Sequence, residues 1–99
     1  MCGIVGYLGD KDLTAILLVG LERLSYRGYD SSGIAILSPD RELSIWKEAG
    51  KLTCLSEKLK PYTIQGTIGI GHTRWATHGR PDRTNAHPHS SQNRRVAVV

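Results

Sequence analysis

The sequence predicts an α+β domain. Short apolar runs rich in β-branched residues, which are typical of strands, alternate with two stretches whose leucines recur at three- and four-residue steps, the spacing of one helix face. Turn-forming residues separate these segments. A length of 99 residues allows one domain at most, and a composition of 39% hydrophobic and 22% charged residues is typical of a soluble globular protein.

The individual elements follow from these patterns. Asp10 or Asp12 can cap the first helix, and Gly28 can end it. Gly20 within this helix indicates a close packing contact, because glycine costs a helix about 1 kcal/mol relative to alanine. Ser-Pro-Asp-Arg at 38–41 is a turn that predicts a hairpin. The predicted strands are residues 3–8, 33–37, 43–47, 67–73 and 95–99, and the predicted helices are residues 13–24 and 52–59. The segment 78–92 is rich in Pro, His, Ser and Asn and is predicted to be irregular.

The last predicted strand bears on domain organisation. Residues 95–99 are very apolar and indicate the beginning of a buried strand. Since a domain rarely ends inside a buried strand, we expect residues 1–99 to be the incomplete N-terminal portion of a domain. The alternative is that this strand closes the sheet. A non-catalytic remnant or interaction fragment, for which an abrupt end is also expected, is a separate alternative for the function.

Composition argues against several classes of protein. No apolar run approaches the roughly 20 residues that span a bilayer, and the N-terminus does not have the pattern of a signal peptide, so we expect no membrane contact and a cytoplasmic location. Cys2 and Cys54 are expected to be free thiols, and the pattern assigns no role to Cys54. The net charge of +4 is scattered and not interleaved with aromatic residues, which argues against an RNA-binding module and a nucleic-acid partner.

Cys2 is a candidate nucleophile. A small residue after Met1 permits removal of that methionine, which would leave Cys2 with a free α-amine. Such an amine has a pKa of about 7.7–8.0, so it can act as a general base beside the thiol of the same residue. The alternative is that Cys2 is simply a small apolar residue in an edge strand.

Residues 71–79, Gly-His-Thr-Arg-Trp-Ala-Thr-His-Gly, run from a predicted strand into a loop. Arg74 offers a planar fork of donors that suits a substrate carboxylate. Trp75 could cover a ligand, and Thr77 and His78 add polar contacts. A solvated loop with one buried tryptophan is the alternative of equal weight.

The histidines are weak candidates for a metal site. The spacings of His72, His78, His87 and His89 match no zinc pattern, so we expect no metal. We expect these side chains instead to form hydrogen bonds with nearby loops. No cofactor is predicted.

Four motifs together resemble a known family. They are Met-Cys-Gly-Ile-Val-Gly at 1–6, Tyr-Arg-Gly-Tyr-Asp-Ser at 26–31, the 71–79 motif, and Asn-Ala-His-Pro-His at 85–89. Their order and spacing resemble the glutaminase domain of the glutamine–fructose-6-phosphate aminotransferases (isomerizing), within the class II glutamine amidotransferases. The resemblance covers essentially all 99 residues. It implies an N-terminal-nucleophile hydrolase fold of αββα layers, in which two packed sheets lie between helices.

The resemblance also implies roles for individual residues. Cys2, with its own α-amine as base, would attack the side-chain amide of glutamine and release ammonia through a thioester. Arg74 would bind the glutamine α-carboxylate. Trp75, Thr77 and His78 would belong to a loop that closes over the substrate, and Arg27 and Asp30 would support the nucleophile. In the full-length parent, expected to be a homo-oligomer, the ammonia would convert fructose 6-phosphate to glucosamine 6-phosphate.

One departure from the family pattern limits what residues 1–99 can do alone. The family's His-Asn-Gly motif, which forms the oxyanion hole, and a later Asp that binds the glutamine α-amine are not among these residues. Losing one oxyanion donor costs about 2.7–4 kcal/mol of transition-state stabilisation. We therefore expect these residues alone to have little or no activity.

A second family of glutaminases is the nearest alternative. The phosphoribosyl-pyrophosphate amidotransferases carry Gln-His-Arg-Gly and Tyr-Ser-Thr where this sequence has Tyr-Arg-Gly-Tyr at 26–29 and Trp-Ala-Thr-His at 75–78. The sugar-phosphate family is therefore favoured.

Overall fold

A four-stranded antiparallel sheet with both helices on one face forms the body of the computed structural model, which describes residues 1–99. The strand order is β1-β4-β2-β3, and a separate two-stranded ribbon pairs β5 with β6. In chain order the elements are β1 (Gly3–Leu8), α1 (Leu13–Leu24), a 3-10 turn (Ser25–Arg27), β2 (Ser31–Leu37), β3 (Leu43–Ala49), α2 (Leu52–Leu59), β4 (Ile68–Arg74), β5 (His89–Ser90) and β6 (Ala97–Val98).

The predicted elements up to β4 are confirmed within two residues at each end. Asp12 rather than Asp10 caps α1, because its carboxylate accepts the N–H of Ala15 at 3.2 Å. The helix ends at Leu24 rather than at Gly28, which instead is the C-terminal cap of the 3-10 turn. The hairpin of β2 and β3 is longer than predicted, since β2 begins at Ser31.

The prediction of a buried strand over 95–99 is wrong. Only Ala97 and Val98 form a strand, which pairs with His89 and Ser90 in the segment predicted to be irregular. Val96 and Val98 are 56% and 55% exposed. An apolar run predicts burial only if another surface lies against it, and the hydrogen bonds of this run go to β5 and to the adjoining Ser91.

The core lies between the helices and the sheet. Its fully buried members come from one face of α1, from α2 and from β2: Leu13, Leu17, Leu21, Leu55, Leu59, Ile34 and Ile36. Their periodicity along α1 is the one that predicted the helix. The contact predicted at Gly20 is confirmed, because a Cβ there would lie 3.0 Å from both methyl groups of Val5.

The other face of the sheet is only partly covered. The segment around His87 and Pro88 crosses it at Gly33, where a Cβ would overlap the carbonyl oxygen of His87. Ile4 and Leu8 on the same face are 58% and 76% exposed. Residues 1–99 thus contain one helix layer and one full sheet of the four layers that the resemblance implies. Neither α1 nor α2 has the length and apolar composition that spanning a bilayer requires.

Candidate active site

The candidate residues meet at one edge of the sheet, where β1 begins and β4 ends. Because these strands are antiparallel and Gly3 pairs with Thr73, Cys2 lies beside Arg74. Ser31, the first residue of β2, pairs with Arg74 from the other side. Strand order therefore brings together the chain start, the loop before β2 and the loop after β4.

Cys2 is exposed, and its sulfur contacts the main chain of the loop after β4. The N–H of Trp75 donates to Cys2 Sγ at 3.4 Å, and the carbonyl oxygen of Trp75 lies 4.0 Å from the same sulfur. The loop therefore orients the thiol without covering it.

Asp30 holds that loop in place. Its Oδ2 accepts the N–H of Ala76 at 2.7 Å, and its own N–H donates to the carbonyl of Arg74 at 3.1 Å. Its carbonyl accepts the N–H of Gly50 at 2.9 Å, which ties the site to the end of β3. The two peptide units that flank Trp75 are thus both bound to Asp30.

Gly28 allows the loop before β2 to approach β4 closely. A Cβ at this position would lie 2.6 Å from the carbonyl carbon of Arg74 and 2.8 Å from its oxygen, closer than real Cβ atoms come. From the sequence, Gly28 is predicted only to end a helix. Its contact with Arg74 involves residues far apart in the chain and left no local signal.

Arg74 is only 8% exposed, and the loop after β4 folds around its guanidinium. Nη1 donates to the carbonyl of Arg80 at 2.9 Å, and Nη2 donates to the carbonyl of His78. Five N–H donors are available on an arginine, so some remain for a carboxylate. Arg74 thus lies next to Cys2 in the register of the sheet, and its side chain also stabilises the conformation of residues 75–80.

The other loop residues are open to solvent. Trp75 is 43% exposed and packs edge-on against Tyr29, with ring centroids 5.7 Å apart. Tyr29 was not a candidate, although it belongs to the same motif as Arg27 and Asp30. Thr77 and His78 are exposed, and only the main-chain carbonyl of His78 takes part in a hydrogen bond.

Arg27 lies near the chain start. Its Nη2 is 3.6 Å from the sulfur of Met1, and its Nε is buried with no hydrogen-bond partner. The structure thus brings Arg27 to the residue whose removal would expose the α-amine of Cys2.

Buried hydroxyl groups at the ends of β2 and β4 were missed by the sequence analysis. Ser31, Ser32 and Thr73 are almost fully buried, and none of their hydroxyl oxygens has a hydrogen-bond partner. Ser31 and Ser32 were assigned to a loop, but they belong to β2 and pair with β4. Unpartnered buried hydroxyl groups are uncommon in folded proteins.

The prediction that the histidine side chains form hydrogen bonds with nearby loops is wrong for all four, since only the main-chain carbonyl of His78 accepts one. The rings of His72, His87 and His89 contact one another instead. Ring centroids of His72 and His87 lie 4.3 Å apart, and those of His87 and His89 lie 4.5 Å apart. The Nδ1 atoms of His72 and His87 are buried without partners. Burial, with the charges of His87 and Arg74 adding to it, lowers the pKa of His72 to about 4. No group of three or more His, Cys, Asp or Glu side chains is arranged to hold a metal ion.

Several proteins of established name are similar to this chain over its whole length. The glutamine–fructose-6-phosphate aminotransferase (isomerizing) of Caldanaerobacter subterraneus subsp. tengcongensis is 61% identical over 99 residues. An enzyme of the same name from Thermus thermophilus is 54% identical over 99 residues. The chain is covered completely in both cases but spans only 16% of each relative. No family model matches the chain.

Solved structures give the same class of fold. A glutamine phosphoribosylpyrophosphate amidotransferase from B. subtilis in complex with ADP and GMP superposes with a TM-score of 0.75 and 30% identity. A structure described as the allosteric regulatory enzyme of purine biosynthesis superposes with a TM-score of 0.78 and 31% identity. Each superposition covers 93% of this chain and 20% of the other. The predicted α+β fold of the N-terminal-nucleophile hydrolase type is confirmed.

Proposed function

Because this chain belongs to the class II glutamine amidotransferase family, we propose that Cys2 is the nucleophile of a site that hydrolyses glutamine to glutamate and ammonia. The observation that carries this proposal is the position of the Cys2 sulfur. It is exposed at the chain start, 3.4 Å from the N–H of Trp75 and next to Arg74 in the sheet. An oriented, accessible thiol suits nucleophilic attack on an amide carbonyl.

Removal of Met1 supplies the base. The thiol proton passes to the α-amine of Cys2, and the sulfur attacks the side-chain carbonyl carbon of glutamine to form a tetrahedral oxyanion. This intermediate collapses to a thioester, while the amine returns the proton to the departing ammonia. Water then attacks the thioester, and glutamate leaves as the thiol is restored. The oxyanion donors lie outside residues 1–99.

The neighbouring residues have binding and supporting roles in this proposal. Arg74 binds the α-carboxylate of glutamine through the donors that the loop leaves free. Trp75, Thr77 and His78 cover the substrate, in keeping with their exposed positions on one loop. Asp30 positions that loop, and Arg27 lies beside the α-amine once Met1 is gone.

We further propose that the whole protein delivers the ammonia to fructose 6-phosphate and makes glucosamine 6-phosphate. Identities of 61% and 54% to enzymes named for this reaction support this acceptor, against 30% and 31% for the solved structures. A cytosolic homo-oligomer is the form that we expect. Phosphoribosyl pyrophosphate is the second candidate acceptor, and only the superpositions favour it.

Labelling with an electrophilic glutamine analogue tests the nucleophile in the whole protein. We expect one adduct per chain, on a Cys2 that has lost Met1, as read by intact and peptide mass spectrometry. Cys2→Ala should abolish the adduct. Cys54→Ala is the matched control, because Cys54 is also an exposed free thiol, and it should label normally.

Two outcomes would contradict the proposal: an adduct on Cys54, or no adduct on a correctly processed Cys2. The second outcome is the one that an inactive remnant predicts. Incubating the whole protein with glutamine and either fructose 6-phosphate or phosphoribosyl pyrophosphate distinguishes the acceptors, since only the correct one accelerates glutamate release and yields an aminated product.

A further inference from the structure

A cavity of about 220 Å³ lies between β3 and the segment that crosses the sheet. Three of its six lining residues are basic and none is acidic, and the six are Ile45, Lys47, Arg83, Pro88, Ser90 and Arg94. The ion pairs of the chain are elsewhere, between Lys58 and Glu48 and between Lys60 and Glu57. None of the three cations around this cavity forms an ion pair, although the charge of Arg83 reaches Glu48 and lowers the pKa of that carboxyl group.

Lys47 projects from β3 toward this cavity. It pairs with Gly33 in the sheet, so its side chain lies on the face that His87 and Pro88 cross. Its Nζ donates only a long hydrogen bond of 3.4 Å, to the carbonyl of Thr84. Burial lowers the pKa of Lys47, and the charge of Arg83 lowers it further. Both effects would be offset by an anion.

Arg94 reaches the cavity from the turn between β5 and β6. Its backbone has a φ of 55°, in the left-handed region that a non-glycine residue rarely adopts. The Ser91 hydroxyl oxygen holds this turn by accepting the N–H groups of Arg95 and Val96. The Arg94 guanidinium donates to the carbonyl of Leu43 at 3.0 Å, which directs it across the start of β3.

We propose that Lys47, Arg83 and Arg94 bind a phosphate group, either as the free anion or as a small phosphate monoester. Two guanidinium forks and an ammonium supply more donors than a tetrahedral oxyanion needs, and the hydroxyl of Ser90 adds another. A volume of about 220 Å³ corresponds to about seven waters at liquid density, which is enough for a phosphate group and a few further atoms. This site shares no residue with the proposed glutaminase site.

Acylation of Lys47 in the whole protein provides a local readout. An amine-reactive acetylating reagent modifies only the neutral amine, so an anion that raises the pKa of Lys47 slows its modification. At constant ionic strength, we expect inorganic phosphate to slow acetylation of Lys47 by about tenfold, since each pKa unit is a factor of ten. Peptide mass spectrometry reports Lys47 separately from the exposed Lys11 and Lys51, which should not change.

Variants test whether the slower acetylation of Lys47 in phosphate, here called protection, depends on the cavity. Arg94→Gln removes one charge-assisted contact and should raise the phosphate concentration that gives half of the maximal protection about tenfold. Arg83→Gln, at an exposed position, provides a second variant in case the 91–96 turn unfolds without Arg94. Arg23→Gln, at the end of α1, is the matched control and should leave protection unchanged.

Each result decides for or against the site. Protection by phosphate alone identifies the free anion as ligand, and stronger protection by glucose 6-phosphate identifies a monoester. Equal protection by chloride at the same ionic strength would mean screening only and would overturn the proposal. So would protection that is unaffected in both variants. Resistance of Lys47 to acetylation before any phosphate is added would show that its amine is already paired with an anion or closed to solvent, which also overturns the proposal.

Discussion

The main-chain N–H of Trp75 donates a hydrogen bond to the sulfur of Cys2 at 3.4 Å. These residues are 73 positions apart, yet they are neighbours because β4 lies between β1 and β2. The thiol is consequently oriented by a loop whose own conformation depends on Asp30, Arg74 and Gly28. Substitutions at these three residues should therefore change the orientation of the Cys2 thiol indirectly, through this loop.

Asp30→Ala should slow labelling of Cys2 by a glutamine analogue at least about tenfold and lower the free energy of unfolding by about 1–3 kcal/mol. The physical reason is that Ala76 would keep a partly buried N–H without its acceptor. Asp30→Asn retains an oxygen at the same place and should recover most of both losses. Exposed Asp10→Ala is the control. Equal labelling rates for Asp30→Ala and Asp10→Ala would reject the positioning role.

Gly28→Ala should destabilise the protein by about 1–3 kcal/mol, because the added methyl group overlaps the carbonyl of Arg74. Gly6→Ala is the matched control, since no atom lies within 4 Å of its added Cβ. Denaturant unfolding of the two variants measures the difference directly. Similar midpoints for both would show that the loop before β2 can move away from β4 at no cost.

Arg74→Lys should raise the glutamine concentration needed for half-maximal ammonia release by about tenfold or more. Lysine keeps the charge but not the planar fork, so it cannot both hold the carbonyls of His78 and Arg80 and bind a carboxylate. Arg80→Lys is the control, because Arg80 is exposed and contributes only its carbonyl. An unchanged requirement in Arg74→Lys would argue against the carboxylate role.

The stability of the protein should depend on pH through His72, whose pKa is lowered from 6.5 to about 4 by burial and by the charges of His87 and Arg74. Below about pH 6.5 the unfolded chain binds a proton at His72, whereas the folded chain binds it only below about pH 4. The contribution of His72 to the free energy of unfolding is therefore complete above pH 6.5 and is lost as the pH falls from 6.5 to 4. Its upper limit is about 3 kcal/mol.

His72→Gln should remove this part of the pH dependence, as followed by denaturant unfolding at a series of pH values. His78→Gln, at an exposed position, should retain it. If the free energy of unfolding changed with pH in the same way in both variants, the pH dependence would not arise from His72.

Local patterns in the sequence were sufficient for most secondary structure. The leucines of α1 and the β-branched runs of β1 and β2 carry their periodicity within a few residues, so no knowledge of their partners is needed. The same reasoning was wrong at Val96 and Val98. An apolar run indicates the preference for burial, but the burial itself depends on a surface that another part of the chain must supply.

What the sequence by itself determined is the set of chemical groups: a cysteine after Met1, an arginine at the end of a strand, and motifs that resemble one family of glutaminases. Only the tertiary structure decided which of these groups meet. The contact of Trp75 with Cys2, the tight approach of Gly28 to Arg74 and the stack of His72 on His87 all join residues distant in the chain. Such contacts depend on strand order and register, which are set by packing of the whole sheet and are not encoded in any short stretch of sequence.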